Sequence, residues 1–158
     1  MANWCYNIVS YEGGAKTIKQ LKNLFLGLAQ KEKKDLCGHL PEFISANEGW
    51  LFSIRWEDDV LYYETKWSPN LEIIKQVAEK YKVDYTHAYE EMGCLIYGEA
   101  SYKYGILTDV FLDAIDFDSY IEIEAGNKWI FENNVYESDI EILEILLQRK
   151  IEMPYKLS

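Results

Sequence analysis

The chain has 158 residues, of which 49% are hydrophobic, 15% aromatic and 27% charged, and it carries a net charge of −11. This composition is typical of one globular domain and excludes an intrinsically disordered chain. The sequence lacks an apolar run of the roughly 18 residues that a membrane span needs, and it begins without the basic and apolar regions of a secretory signal. We therefore expect a cytoplasmic protein in which the scattered cysteines Cys5, Cys37 and Cys94 are free thiols.

The first strand and the first helix follow from hydrophobic periodicity. Residues 3–11 alternate between two sides, which predicts a strand that ends at Gly13-Gly14. Residues 15–33 carry apolar side chains at helical spacing and lysines on the opposite side, which predicts an amphipathic helix. The glycine-, proline- and serine-containing stretch 35–48 predicts a loop.

Two alternating runs, 50–57 and 60–67, predict a β-hairpin with Asp58-Asp59 at its turn. A two-residue turn places Trp50, Phe52, Ile54 and Trp56 on one apolar face. Trp56 then lies opposite Leu61, and Trp50 lies opposite Trp67. We expect this face to meet the helices. The strict alternation then predicts that Trp50, Trp56 and Trp67 are mostly buried. It also predicts that Arg55 and Glu57 are mostly exposed.

A second helix and two further strands complete a known order of elements. Ser68 as the N-cap and Pro69 at the first helical position predict a helix that extends to about Tyr81. Strands are predicted around residues 85–89 and 95–97, on either side of a turn at Gly93. The order strand, helix, strand, strand, helix, strand defines the ferredoxin-like split βαβ arrangement.

The last third of the chain is an acidic addition to this core. The stretch from Asp109 to Glu144 holds eleven acidic residues and one base, so it carries ten of the eleven net negative charges. It predicts a second hairpin across Gly126-Asn127 and a helix that opens with a capping box, Ser138 to Glu141, and ends near Lys150. The predicted fold class is therefore α+β: an antiparallel sheet with a ferredoxin-like βαββαβ core plus an acidic C-terminal β-hairpin and helix. We expect one domain, 1–158, in which the acidic extension 106–158 packs on the core 1–105.

Three motifs carry a family resemblance: Asn3-Trp4-Cys5-Tyr6-Asn7, Thr65-Lys66-Trp67-Ser68-Pro69, and Tyr89-Glu90-Glu91-Met92-Gly93 followed by Gly98. Over roughly residues 1–105 the chain resembles the YubB-type ferredoxin-like domain proteins of plasmids, phages and integrated elements. It departs from that pattern at Asn70, where a second proline commonly follows Trp-Ser-Pro, and it lacks the Gly-Thr-Lys-Trp stretch of longer relatives. The resemblance implies the fold and a mobile genetic context. It implies no enzymatic activity, cofactor or catalytic residue.

The residue patterns also predict no catalytic, cofactor or metal site. Cys37-Gly38-His39 is the closest pair of soft metal ligands, and it lacks the spacing of a zinc site. His87 alternates with Tyr85 and Tyr89 in a strand, where we expect it to pack or to make one structural hydrogen bond. Gly13-Gly14 lacks the third glycine and the lysine of a phosphate-binding loop.

The acidic segment is the candidate interaction surface, because concentrated carboxylates repel nucleic acid and attract basic partners. We expect Glu122 and Glu124 to share a strand face, and Glu137, Glu141 and Glu144 to share a helix face. The whole candidate surface comprises eight residues: Asp113, Asp116, Asp118, Glu122, Glu124, Glu137, Glu141 and Glu144.

Three functions are compatible with these patterns. The leading hypothesis is a non-enzymatic accessory protein of a mobile element that acts by contact with an unidentified, basic protein partner. The first alternative is an acidic inhibitor whose carboxylates imitate DNA phosphates and occupy the nucleic-acid groove of a host protein. The second alternative is a hydrolase built on carboxylates. RNA binding on the sheet is not expected, because the basic and aromatic signature of the RNA-recognition motif is absent.

Overall fold

The computed structural model describes residues 2–156, with side chains described through residue 153. The helices are α1 (Ala15–Asp35), α2 (Leu71–Tyr81), α3 (Ala114–Phe117) and α4 (Asp139–Lys156). The strands are β1 (Trp4–Glu12), β2 (Phe52–Glu57), β3 (Val60–Lys66), β4 (Asp84–Glu91), β5 (Ile96–Lys103), β6 (Ile106–Phe111), β7 (Ile121–Glu124), β8 (Lys128–Phe131) and β9 (Asn134–Tyr136). A 3₁₀ turn, Met92–Cys94, joins β4 to β5. No helix in the described part of the chain combines the length and the apolar character needed to cross a membrane.

The strands form a six-stranded antiparallel sheet in the order β2-β3-β1-β4-β5-β6 and a separate three-stranded sheet in the order β7-β8-β9. The first four positions of the large sheet have the ferredoxin-like order, because β1 lies between β3 and β4 and is joined to neither of them by a short turn. Strands β5 and β6 extend the sheet by successive antiparallel pairing. The predicted fold class is confirmed: the fold is α+β, with a ferredoxin-like core and a C-terminal hairpin and helix, and the hairpin gains a third strand.

The inner face of the large sheet, defined as the face that α1 and α2 cover, carries the main core. Alternate residues of β1 are buried there: Cys5, Asn7, Val9 and Tyr11. The two helices contribute buried apolar residues at helical spacing: Leu21, Phe25, Leu28, Ile73, Ile74, Val77 and Ala78. The ring of Trp56 stacks on those of Phe25 and Tyr11, with centroids 6.2 and 6.4 Å away. The predicted contact between the hairpin and the helices is therefore present, and Trp56 provides much of it.

A β-bulge changes the register of the β2–β3 hairpin and corrects the sequence prediction. The predicted two-residue turn is present, with Asp58 and Asp59 at φ 51° and 60°, and Trp56 lies opposite Leu61 as expected. The register then shifts between Phe52 and Arg55, at Ser53, whose φ is 51°. The Ser53 backbone N–H donates to Glu32 Oε1 on α1 at 2.7 Å, so a contact from a distant helix holds the bulge.

The three tryptophans differ in burial, and the bulge explains the exposure of Trp50. Beyond it the alternation is inverted, so that Leu51 is fully buried and Trp50 is 42% exposed. Trp67 has φ 71°, lies just after β3 and is 51% exposed. The predicted burial of Trp50 and Trp67 is wrong. The predicted exposure of Arg55 and Glu57 is confirmed, and Trp56 packs partly buried against the core.

Helix α2 begins two residues later than Pro69, with Asn70 rather than Ser68 at its N-cap position. The Asn70 side chain does not cap the helix. Its Oδ1 accepts from the Tyr63 hydroxyl at 2.6 Å, and its Nδ2 donates to the Gly49 carbonyl at 2.8 Å. Asn70 therefore ties the start of α2 to the hairpin, which a proline at this position could not do.

The outer face of the large sheet, opposite the inner face, is covered only in part. Helix α4 packs against β5, β6 and the small sheet around a second core. That core consists of Leu112, Phe131, Ile142, Leu143, Leu146 and Leu147, with Tyr97 and Val110 from the large sheet packed against it. The outer residues of β1 are left open: Tyr6 is 54% exposed and Ile8 is 42% exposed.

We predict that Trp56→Ala destabilises the protein by about 3 kcal/mol or more, because it removes a large ring packed against Phe25 and Tyr11. The matched control, Trp67→Ala, removes the same ring from an exposed site and should cost under about 1 kcal/mol. Urea unfolding of both variants measures the difference. Equal losses would contradict the different burial of the two rings.

Candidate functional site

Two of the eight predicted surface residues, Asp113 and Asp116, make a local structural cap. Asp113 accepts from the backbone N–H groups of Ile115 and Asp116, and Asp116 accepts from the Asp113 backbone N–H. Lys150 Nζ of α4 lies 3.2 Å from Asp113 Oδ2 and 2.5 Å from Asp116 Oδ2. Its hydrogen bond to Asp113 is the main cause that lowers the pKa of that carboxyl. These carboxylates fasten α3 to α4 and are already engaged by a cation.

The acids of the second hairpin do not share a face, which corrects the prediction for Glu122 and Glu124. Glu122 pairs with Trp129 and Glu124 pairs with Lys128, and the register shifts between the two. Because paired residues share a face and consecutive strand residues point to opposite faces, Glu122 and Glu124 point in opposite directions. Glu122 also accepts a hydrogen bond from the Gly126 backbone N–H, and Glu124 lies 3.9 Å from the Lys128 ammonium.

The remaining predicted acids are exposed but dispersed. The prediction that Glu137 shares a helix face with Glu141 and Glu144 is wrong, because Glu137 precedes α4. Ser138 Oγ accepts from the Ile140 N–H at 3.2 Å, so the predicted cap residue does open α4. Asp118 ends α3. The shared faces expected for Glu122 with Glu124, and for Glu137 with Glu141 and Glu144, are therefore not formed as predicted, and Glu144 borders a cavity.

That cavity is a groove of about 450 Å³ between the outer face of the large sheet and α4. We call it the α4 groove. Its floor consists of two rows of residues that are paired across β1, β4 and β5. Tyr6, Glu90 and Tyr97 form the first row, and Ile8, Ala88 and Glu99 form the second. Its wall is formed by one side of α4, namely Ile140, Glu144, Leu147, Gln148 and Ile151.

Three carboxylates converge on Tyr97 in this groove. Burial, and then the carboxylates of Glu144, Glu90 and Glu99, raise the pKa of the Tyr97 phenol to about 12. Burial also raises the pKa of the Glu99 carboxyl above its usual range. None of the described residues that line the groove is basic. The groove thus combines apolar floor residues, such as Ile8 and Ala88, with a local excess of negative charge.

A second, shallower hollow of about 280 Å³ continues the groove across β1 and β3. The two share Tyr6, Ile8 and Glu90 and together run from α4 to Arg55 on β2. The hydrophobic patterns of the sequence did not predict this site. The signal was present in β1, whose large apolar residues Tyr6 and Ile8 alternate with the smaller Cys5, Asn7 and Val9.

The inner face holds a chain of buried polar side chains that is centred on His87. His87 Nε2 lies 2.9 Å from Asn7 Oδ1, to which it donates, and 3.3 Å from the Tyr63 hydroxyl. Asn7 Nδ2 donates to Thr65 Oγ1 and to the Cys5 carbonyl, both at 3.0 Å. We call these residues, with Asn70, the His87 network. All of these residues are buried, so their hydrogen bonds serve the structure, as expected for His87.

The motifs that carry the family resemblance meet in and beside this network. Thr65 Oγ1 donates to the Ser68 carbonyl at 2.7 Å, which closes the end of β3. Glu91 Oε1 accepts from the Gly93 N–H at 2.8 Å, and Asn3 Nδ2 lies 3.6 Å from Cys94 Sγ. The motif residues therefore fix the sheet and its turns.

The Cys37–His39 pair makes no catalytic relay. His39 Nε2 lies 3.8 Å from Cys37 Sγ and 3.1 Å from Asp35 Oδ2, so both partners meet the same nitrogen. A thiol–imidazole–carboxylate relay needs the two different ring nitrogens. Among residues 2–156, no group of three or more His, Cys, Asp and Glu side chains is placed to hold a metal ion.

Residues 49–136 match the family described as the ferredoxin-like domain in Api92-like protein, over more than half of the chain. The chain belongs to this ferredoxin-like family. The matched region starts just before β2 and ends with β9, so the family domain includes the acidic hairpin that the resemblance over residues 1–105 left out. No curated protein and no solved structure matches the chain.

We predict that His87 makes stability fall as the pH falls below about 6.5. Burial lowers the pKa of His87 to about 3, so in this window the unfolded state binds a proton that the folded state does not. The free energy of unfolding should therefore drop by about 1.4 kcal/mol per pH unit on this account alone. Urea unfolding of the wild type and of His87→Gln between pH 7.5 and 5 isolates the effect. Parallel pH profiles would contradict it.

We predict that the three free cysteines react at different rates with a thiol reagent. Cys37 is exposed and should react first. A hydrogen bond to Glu91 raises the pKa of Cys94, so Cys94 should react more slowly than Cys37. Burial raises the pKa of Cys5 to about 11, so Cys5 should react only on unfolding. Mass spectrometry of the labelled protein ranks the sites. Labelling of Cys5 at the rate of Cys37 would contradict the burial of β1.

Proposed function

We propose that this ferredoxin-like protein is a non-enzymatic accessory protein that acts by protein–protein contact through the outer face of its large sheet. The observation that carries this proposal is the exposed apolar strip formed by Tyr6 and Ile8 beside the α4 groove. Contiguous apolar surface next to polar residues is typical of interaction sites.

The genetic setting is part of the same proposal. The resemblance to YubB-type proteins supports an accessory role in a plasmid, phage or integrated element. Such a role needs a binding surface but no catalytic residue, and the motif residues serve the sheet.

The DNA-mimic alternative has weaker support in the geometry. Mimicry requires carboxylates at regular spacing on one surface. Lys150 engages Asp113 and Asp116, and the register shift between β7 and β8 turns Glu122 and Glu124 to opposite sides.

A carboxylate-based hydrolase is the second candidate, and one observation favours it. A hydrolase needs two acids whose environments separate their pKa values. Burial raises the pKa of Glu99, which shares the α4 groove with Glu90 and Glu144. Against it, the groove is open along the sheet, and part of its floor, at Ile8 and Ala88, is apolar.

The proposal predicts that the double variant Tyr6→Ala/Ile8→Ala loses its protein partner. The matched control Tyr104→Ala/Ile106→Ala removes the same side chains from exposed positions at the β5–β6 turn. Affinity capture from the lysate of the source organism, quantified by mass spectrometry, should fall about fivefold or more for the first variant only.

A third variant tests the alternative of DNA mimicry. If contact occurs through the outer face, capture of the partner should be unchanged in a variant with four Glu→Gln substitutions, at Glu122, Glu124, Glu137 and Glu141. Loss of the partner in this variant, with retention in Tyr6→Ala/Ile8→Ala, would overturn the proposal in favour of mimicry.

A further inference from the structure

We propose that the α4 groove receives an extended, basic segment of the protein partner, with one arginine or lysine side chain among Glu90, Glu99 and Glu144 against the ring of Tyr97. This inference rests on the proposed function and names the chemistry of the partner. It differs from the surface predicted from the sequence, because two of its three carboxylates lie on the sheet rather than in the acidic segment.

The shape of the site favours an extended chain. The α4 groove and the hollow beside it share Tyr6, Ile8 and Glu90, and they run as one path across five strands. A path of this shape accommodates alternating side chains of a strand-like peptide better than a compact ligand. Its floor at Ile8 and Ala88 provides apolar contact along the way.

The charge at the α4 end selects a cation. Glu90, Glu99 and Glu144 lie around the half-buried Tyr97, and none of the described residues that line the α4 groove is basic. Removing carboxylates from water without a partner is unfavourable, and a guanidinium or ammonium group would relieve this by charge-assisted hydrogen bonds. The same charges repel phosphate, which disfavours a nucleic acid in the groove.

Aromatic rings on this face already hold cations. The Arg55 guanidinium lies 4.9 Å from the centre of the Tyr62 ring, and Lys66 Nζ lies 5.3 Å from that of Phe52. Tyr6 and Tyr97 provide further rings along the same path. A cationic side chain of the partner would make the same kind of contact there.

The test uses a fluorescein-labelled peptide in which arginine alternates with leucine, and measures its anisotropy with the full-length protein. The groove variant is Glu99→Gln/Glu144→Gln. The matched control, Glu137→Gln/Glu141→Gln, removes the same charge from exposed acids outside the groove. We expect about tenfold or more weaker binding for the groove variant and less than about twofold for the control.

Two further arms identify the ligand. The same peptide with citrulline in place of arginine keeps the shape without the charge and should bind about tenfold more weakly or worse. A fluorescein-labelled single-stranded RNA oligonucleotide, tested without the peptide, should not bind, because the carboxylates repel phosphate. Equal loss in the groove and control variants, equal affinity for the arginine and citrulline peptides, or binding of the RNA would overturn the inference.

The outcome remains separable from that of the proposed function. If Tyr6→Ala/Ile8→Ala abolishes partner capture and Glu99→Gln/Glu144→Gln leaves it intact, the contact face stands and the basic segment is wrong. If Tyr6→Ala/Ile8→Ala retains the partner, the contact face itself is wrong.

Discussion

The constraint on which the rest of the structure depends is the satisfaction of buried polar groups on the inner face of the sheet. Asn7, Thr65 and His87 are at most 1% exposed, and a buried polar group that lacks a partner is expensive. Asn7 bonds Thr65 and His87 across β1, β3 and β4, and the Tyr63–Asn70 bond extends the chain to the start of α2. Among the described residues His87 Nδ1 has no partner. An order without β1 between β3 and β4 would separate these groups, so the His87 network favours that central part of the ferredoxin-like order as well as stabilising it.

This arrangement separates structure from function by sheet face. Because the inner face and the motif turns are committed to the network and the core, substitutions there would disturb the fold. The outer face has no such role over β1, β3 and β2, where Tyr6, Ile8 and Tyr62 lie. Helix α4 forms a wall on one side only, and so converts a flat sheet face into a groove with carboxylates at one end. The acidic extension thus contributes Glu144 to the site, while Asp113 and Asp116 hold the extension together.

Periodicity predicted most of the fold because each main element buries one face. The order of the first six elements, the Asp58-Asp59 turn and the opening of α4 at Ser138 all followed from local patterns. The inverted end of β2 did not, because Glu32, distant in sequence, holds the bulge at Ser53. The site was missed for a related reason: β1 buries Asn7 and exposes Tyr6, which is the reverse of what hydrophobicity alone predicts. The expected shared faces of the acidic segment were wrong where a register shift separates Glu122 from Glu124 and where Glu137 precedes α4.

The most direct test of this account is a double-mutant cycle on Asn7 and His87. Asn7→Ala, His87→Ala and the double variant are unfolded in urea at pH 7.5, where His87 is neutral in both states. The account predicts a coupling of about 1–3 kcal/mol, because each single variant leaves the other side chain buried without its partner. Single effects that add to within about 0.5 kcal/mol would contradict it, since the two side chains would then contribute independently to the stability of the fold.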